Sequence, residues 1–232
     1  MSKISSPKAQ NQAILQNQEV LIDVGDESLP GILAVPNAAA GIILFAHGSG
    51  SSRLSPRNQY VARQFNQAGL ATLLFDLLTS PEERLDRLTG QLRFNVGLLA
   101  NRLSAVADWV SHYPETQQFQ IGYFGASTGA AAALMAAAHN PHTVKAIVSR
   151  GGRPDLGGDS LRDVQAPSLL MVGSLDTDVI GLNEQAFQEM RCEKKLQIIP
   201  GASHLFEEPG KLETVSEIAT TWFLNHLIKD NL

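Results

Sequence analysis

Cysteine is all but missing from these 232 residues: Cys192 is the only one. One thiol closes no intrachain disulfide and supplies too little for a zinc site, so the fold has to stand on its apolar core. Charged residues reach only 18%, too few for a disordered polyampholyte, while the 44% hydrophobic share is that of a folded domain. Basic residues are outnumbered 18 to 23, giving a formal net charge of −5. A mildly acidic chain releases few counterions from a phosphate backbone, which argues against nucleic acid as a partner. Long apolar runs are missing as well. Residues 42–46 and the alanine-rich 130–138 fall well short of the ~20 residues that span a bilayer. The opening residues lack the apolar segment of a secretion signal. The expectation is a cytoplasmic protein with neither membrane nor nucleic-acid partners.

What is present is an alternation of short apolar runs and longer amphipathic ones. After a polar segment, 1–17, residues 18–25 and 28–35 alternate around Gly25, which predicts an antiparallel hairpin. The unbroken apolar run 41–46 predicts a strand buried on both faces, 70–75 is another buried run, and 119–124, 144–148, 168–172 and 196–199 read as further short apolar strands. Helices are expected over about 56–68, 94–112, 130–138, 181–191 and 212–228, the second carrying Phe94, Val96, Leu99, Leu103 and Val106 at helical spacing. Residues 77–93 read as a polar, arginine-bearing loop. The pattern predicts one α/β domain over 18–232, a mostly parallel sheet of about eight strands with helices on both faces. In such sheets the working residues gather at the carboxyl ends of the strands.

The loops at that edge carry chemistry. Gly125-Ala126-Ser127-Thr128-Gly129 runs from a buried strand straight into a helix, which is G-x-S-x-G in a strand–turn–helix setting. Such a turn holds a serine hydroxyl out on a strained backbone and needs neighbours without side chains. A serine hydroxyl needs a base, and of six histidines His204 alone follows the last strand on a loop near the C-terminus. His112, His139, His142 and His226 read as capping or packing residues, and His47 belongs to a different, glycine-rich loop. The base needs an acid to fix its tautomer, and Asp176 and Asp178 both follow the strand 168–172. Asp176, in the first turn out of the strand, is favoured, with Asp178 left to the helix that follows. The oxyanion donors are expected to be the Thr128 N–H and the N–H of Ser49, with Gly50 second, in the loop His47-Gly48-Ser49-Gly50.

The order Ser127, Asp176, His204 and the four motifs that carry these residues resemble an α/β-hydrolase of the dienelactone hydrolase-like group. The resemblance runs from about residue 20 to the last predicted helix. It implies an α/β-hydrolase fold and hydrolysis of an ester without a metal or other cofactor. One departure is plain: the best-known dienelactone hydrolases carry cysteine in the elbow, and Ser127 stands there here, while Cys192 is a bystander. The expected reaction is cleavage of a small ester, lactone or thioester through an acyl-enzyme on Ser127. A peptidase or acyltransferase using the same three residues, and a non-catalytic ligand-binding protein, are the alternatives. The interval 149–167 is too short for a large cap domain, which implies an open site. Arg53, Arg150 and Arg153 also fall at the catalytic edge. Arg53 or Arg150 gripping a substrate carboxylate is one reading, and ion pairing with Asp155, Asp159 or Asp163 is the other.

Overall fold

Alternation of exposed and buried residues builds the first two strands. In the computed structural model, which describes residues 17–228, β1 (Gln18–Val24) and β2 (Glu27–Ala34) pair antiparallel around a tight turn. Gly25 takes φ 74° there, a conformation open to glycine at little cost. All but the last residue of the polar segment 1–17 lies outside the described residues.

The mostly apolar segments become β3 (Ile42–Ala46), β4 (Ala71–Phe75), β5 (Ile121–Ala126), β6 (Val144–Arg150) and β7 (Ser168–Gly173), and the half-buried β8 (Lys194–Ile199) closes the edge. The strand order is β1-β2-β4-β3-β5-β6-β7-β8, parallel from β4 through β8 and antiparallel at β1, β2 and β4. Among the described residues six α-helices accompany them: α1 (Pro56–Gln67), α2 (Ser80–Thr89), α3 (Val96–His112), α4 (Thr128–His139), α5 (Thr177–Glu189) and, after β8, α6 (Lys211–Leu227). One face of the sheet buries Phe45, Phe124 and Met171 against Phe65 of α1 and Phe223 of α6. The other buries Leu44, Tyr123 and Leu170 against α3, α4 and α5. Within the first layer Phe65 stands edge-on to Phe124 and Phe223, centroids 5.6 and 5.5 Å apart. Burying these faces is the main stabilising term.

Three expectations are corrected. β5 runs two residues past Phe124, because Gly125 and Ala126 still pair with Ser149 and Arg150 of β6. Phe94 is no part of α3. Asn95 caps that helix through Leu98 N, and Phe94 ends a separate 3-10 turn (Leu92–Phe94), 59% exposed. Most of the segment 77–93 is no loop, since α2 forms there. Thr79 accepts from Glu82 N while Glu82 Oε2 accepts from Thr79 N, a complete capping box, and Gly90 ends the helix at φ 66°. Periodicity concealed α2 because its leucines, Leu85 and Leu88, face solvent and its one buried residue is Asp86. Between β6 and β7 the chain makes only 3-10 turns over Pro154–Asp163, broken at Gly158 and packed on α4 and α5.

Candidate active site

Ser127 joins β5 to α4 at φ 50°, ψ −122°, a strained backbone for a residue with a Cβ. Its surroundings explain the glycines of the motif. A Cβ on Gly129 would overlap the carbonyl oxygens of Ala46 and His47, and one on Gly125 would overlap Ala130. A Cβ on Gly48 would stand 3.1 Å from both Ala126 O and Ser127 Cβ, so the loop after β3 lies directly against the elbow. The end of β6 and the segment after it brace it from the other side: Ser127 N donates to Arg150 O at 3.3 Å, and Arg153 N to Ser127 O at 3.1 Å. The amino end of α4 points its free N–H groups at this turn.

The loops after β7 and β8 are laced together. Ser174 N donates to Ile199 O and Leu175 N to Ala202 O, both at 3.0 Å, and Gly201 N to Ser174 Oγ at 2.7 Å. That brings His204 Nδ1 to 2.6 Å from Asp176 Oδ2. Asp176 is the aspartate engaged, and Asp178 stays exposed in the first turn of α5. The carboxylate accepts only, so Nδ1 carries the proton and Nε2 is left as the basic nitrogen. A Cβ on Gly151 would stand 3.1 Å from His204 O and 3.5 Å from His204 Nδ1. Gly151 directly follows Arg150, whose carbonyl holds Ser127 N, so the histidine loop rests on the backbone that braces the serine. No hydrogen bond joins Ser127 Oγ to His204 among the described residues.

Several positioning contacts had no sequence signal. Phe206, fully buried two residues past His204, takes φ 56° and anchors its loop in the core. Glu208 accepts from Ser203 N at 3.1 and 3.2 Å, bonds that hold its carboxyl below the usual range. Arg57 of α1 pairs with Glu207 at 2.5 Å. Ser49 N donates to Thr128 Oγ1 at 3.0 Å, so one expected oxyanion donor is fixed above the elbow by the residue that supplies the other.

His47 proves to be structural. Leu77 N donates to its Nε2 at 3.1 Å, so the proton sits on Nδ1, which donates to Gly48 O at 2.9 Å. Burial holds its pKa below 6.5 despite the opposing pull of the Gly48 bond and of Asp76. The unfolded chain therefore binds this proton at a higher pH than the folded one. Stability is expected to fall as pH drops below about 6.5, by up to about 1.4 kcal/mol per pH unit, until the lowered folded pKa is reached. Urea midpoints of wild type and His47→Asn between pH 7.5 and 5 check this, the variant showing the shallower loss.

The arginines at the edge are engaged or buried. Asp76 takes Arg53 through Nη1 at 2.5 Å and through its backbone N at 2.7 Å, and Arg153 pairs with Asp155 at 2.7 Å. Arg150 lies under the strand ends at 7% exposure, its guanidinium 5.8 Å from the centre of the Phe124 ring. Its Nη2 donates to Asn58 Oδ1 at 3.4 Å and its Nη1 has no partner among the described residues. Burial and the charge of Arg57 bring its pKa down to about 10, so it stays a cation. These placements favour structural roles for Arg53 and Arg153. Cys192 sits far from the elbow, beside Ser168 at the opposite end of β7, its thiol pushed up by burial.

A mostly parallel eight-stranded sheet with a G-x-S-x-G turn after its fifth strand, and a hydrogen-bonded aspartate and histidine after the seventh and eighth, has the α/β-hydrolase fold. The family model for the dienelactone hydrolase family matches residues 29–225, so the chain belongs to that family. A crystal structure of dienelactone hydrolase from Anabaena variabilis is 57% identical and superimposes with a TM-score of 0.91, covering 92% of this chain and 99% of that one. Est1E from Butyrivibrio proteoclasticus shares the fold at 17% identity, with a TM-score of 0.74 over 89% of this chain and 98% of that one. A curated Mycobacterium tuberculosis protein, provisionally named a phosphoribosyl transferase, is 52% identical over 213 residues. That match takes in 92% of this chain and 47% of the relative, so the chain spans about half the length of the curated relatives it matches.

Among the described residues no helix is long and apolar enough to cross a membrane, and no three histidine, cysteine or acidic side chains cluster as metal ligands would.

Proposed function

We propose that this hydrolase is a serine esterase whose nucleophile is Ser127. The observation that carries the reading is the 2.6 Å bond between His204 and Asp176, on loops packed against the backbone that braces a strained Ser127. Ser127 Oγ attacks the carbonyl carbon of a small ester, lactone or thioester while His204 Nε2 takes its proton. Asp176 holds the imidazolium that forms. Thr128 N–H and Ser49 N–H bind the oxyanion, Ser49 sharing its hydrogen between Thr128 Oγ1 and the substrate oxygen. Collapse expels the alcohol or thiol, which takes the proton back from His204. Water, deprotonated by His204, then releases the acid and restores Ser127. The route needs no cofactor.

Rapid mixing with p-nitrophenyl acetate tests the acyl-enzyme. A burst of nitrophenol close to one equivalent per chain, or a 42 Da acetyl adduct on Ser127 after acid quench, is expected where deacylation limits turnover. Hydrolysis with neither burst nor adduct, under conditions where excess hydroxylamine also fails to divert the acyl group, argues against it.

A further inference from the structure

Two backbone amides are the expected oxyanion donors, yet one of them is already engaged: Ser49 N donates to Thr128 Oγ1 at 3.0 Å. That bond ends a longer run in which every hydrogen points the same way. Leu77 N donates to His47 Nε2 at 3.1 Å, and His47 Nδ1 donates to Gly48 O at 2.9 Å. The Gly48 carbonyl and the Ser49 N–H are the two ends of one planar peptide, so His47 sets the direction in which Ser49 donates. Ser51 N donates to the same Gly48 O at 3.2 Å. Each donation into that carbonyl polarises the N–H at the other end of the peptide, which strengthens the bond to Thr128.

Thr128 is where the run stops. Its hydroxyl accepts from Ser49 and still carries one hydrogen of its own, which has no acceptor among the described residues. The residue is only 2% exposed, so bulk water offers little in exchange. A buried donor without an acceptor costs free energy, and beside a nucleophile it calls for a ligand. Thr128 directly follows Ser127 at the start of α4, and a Cβ on Gly48 would stand 3.1 Å from Ser127 Cβ. The spare hydrogen therefore lies between the elbow and the Ser49 loop, on the side from which both amides reach the oxygen of an attacked carbonyl.

We propose that the Thr128 hydroxyl is a third oxyanion donor, passing the polarisation that starts at Leu77 and His47 on to the substrate oxygen. The proposal rests on the serine-esterase reading and adds a side chain to its two amides. An oxyanion within reach of the Ser49 N–H shares that hydrogen with Thr128 Oγ1. Two oxygens converging on one hydrogen repel each other unless one donates to the other. Here the hydroxyl has the hydrogen and the oxyanion has the charge. The carbonyl of the bound ester carries far less charge, so the bond is strong only as the tetrahedral intermediate forms.

Thr128→Val keeps the shape of the side chain and removes the hydroxyl. Acylation and deacylation by p-nitrophenyl acetate, followed in stopped flow, should both slow about 10²-fold with KM little changed, since one oxyanion donor is typically worth ~10²–10³ in rate. Thr128→Ser should recover all but a few-fold of that loss, and Thr128→Ala serves where the valine variant does not fold. In a crystal structure of the fluorophosphonate adduct, Thr128 Oγ1 should lie within ~3.0 Å of the phosphonyl oxygen. A valine variant as fast as wild type or faster overturns the proposal, because the hydroxyl then only competes for the Ser49 hydrogen. A loss that serine does not recover, or an Oγ1 more than ~3.5 Å from the phosphonyl oxygen, overturns it too and leaves Thr128 as a positioning residue for the loop. In all three cases the esterase reading stands. No turnover of any ester and no labelling of Ser127 overturns both.

Discussion

Ser127→Ala is expected to lower kcat toward esters by roughly five to six orders of magnitude, with the fold intact, because acyl transfer then loses its nucleophile. Ser127→Gly should be equally inactive and also more stable. The serine holds φ 50°, ψ −122°, where a side chain costs on the order of 1–3 kcal/mol and glycine very little. After the entropy that glycine loses on folding, a gain of about 1 kcal/mol remains, or a Tm rise of roughly 2–4 °C. Steady-state kinetics and thermal melts of the two variants, side by side, read both effects. A Ser127→Gly variant that is less stable than wild type would show that the elbow stores no such strain.

The second large effect is Asp176→Asn, expected to reduce kcat about 10⁴-fold with little change in KM. Nδ1 of His204 now donates to Asp176 at 2.6 Å, and the amide would offer it an N–H in place of an acceptor. The ring would turn or take the other tautomer, leaving no lone pair for Ser127. Asp178→Asn should change kcat by no more than a few-fold, since its side chain is exposed at the start of α5. Equal losses in the two variants would mean that the carboxylate acts by general field and not by its bond to the histidine.

Fold and site were legible in the sequence to different depths. Mostly apolar runs marked the buried strands because both faces of a parallel sheet are covered, and loops at their carboxyl ends then narrowed six histidines to one. The choice of Asp176 over Asp178 followed from distance to the strand end, and the bond to His204 has the same origin. Where local rules and packing disagreed, packing won. Gly125 and Ala126 look like turn residues, yet both pair with β6. Phe94 fits a helical apolar stripe, but Asn95 caps α3 before it and leaves it in solvent. α2 was read as loop because a helix whose leucines point outward has no apolar period to mark it, and its Thr79–Glu82 capping box became visible only in the structure. Contacts between distant segments left no trace at all: Arg53 with Asp76, Arg57 with Glu207, His47 with Leu77 N, and Ser49 N–H on Thr128 Oγ1 each join residues far apart in the chain.

The serine-esterase mechanism is tested most directly by mass spectrometry of the protein after treatment with a fluorophosphonate probe. A single phosphonyl adduct on the peptide containing Ser127, lost in Ser127→Ala and slowed at least 10³-fold in His204→Ala, is the expected result. Well-folded protein that takes up no probe, or that is labelled as fast without His204, would contradict it.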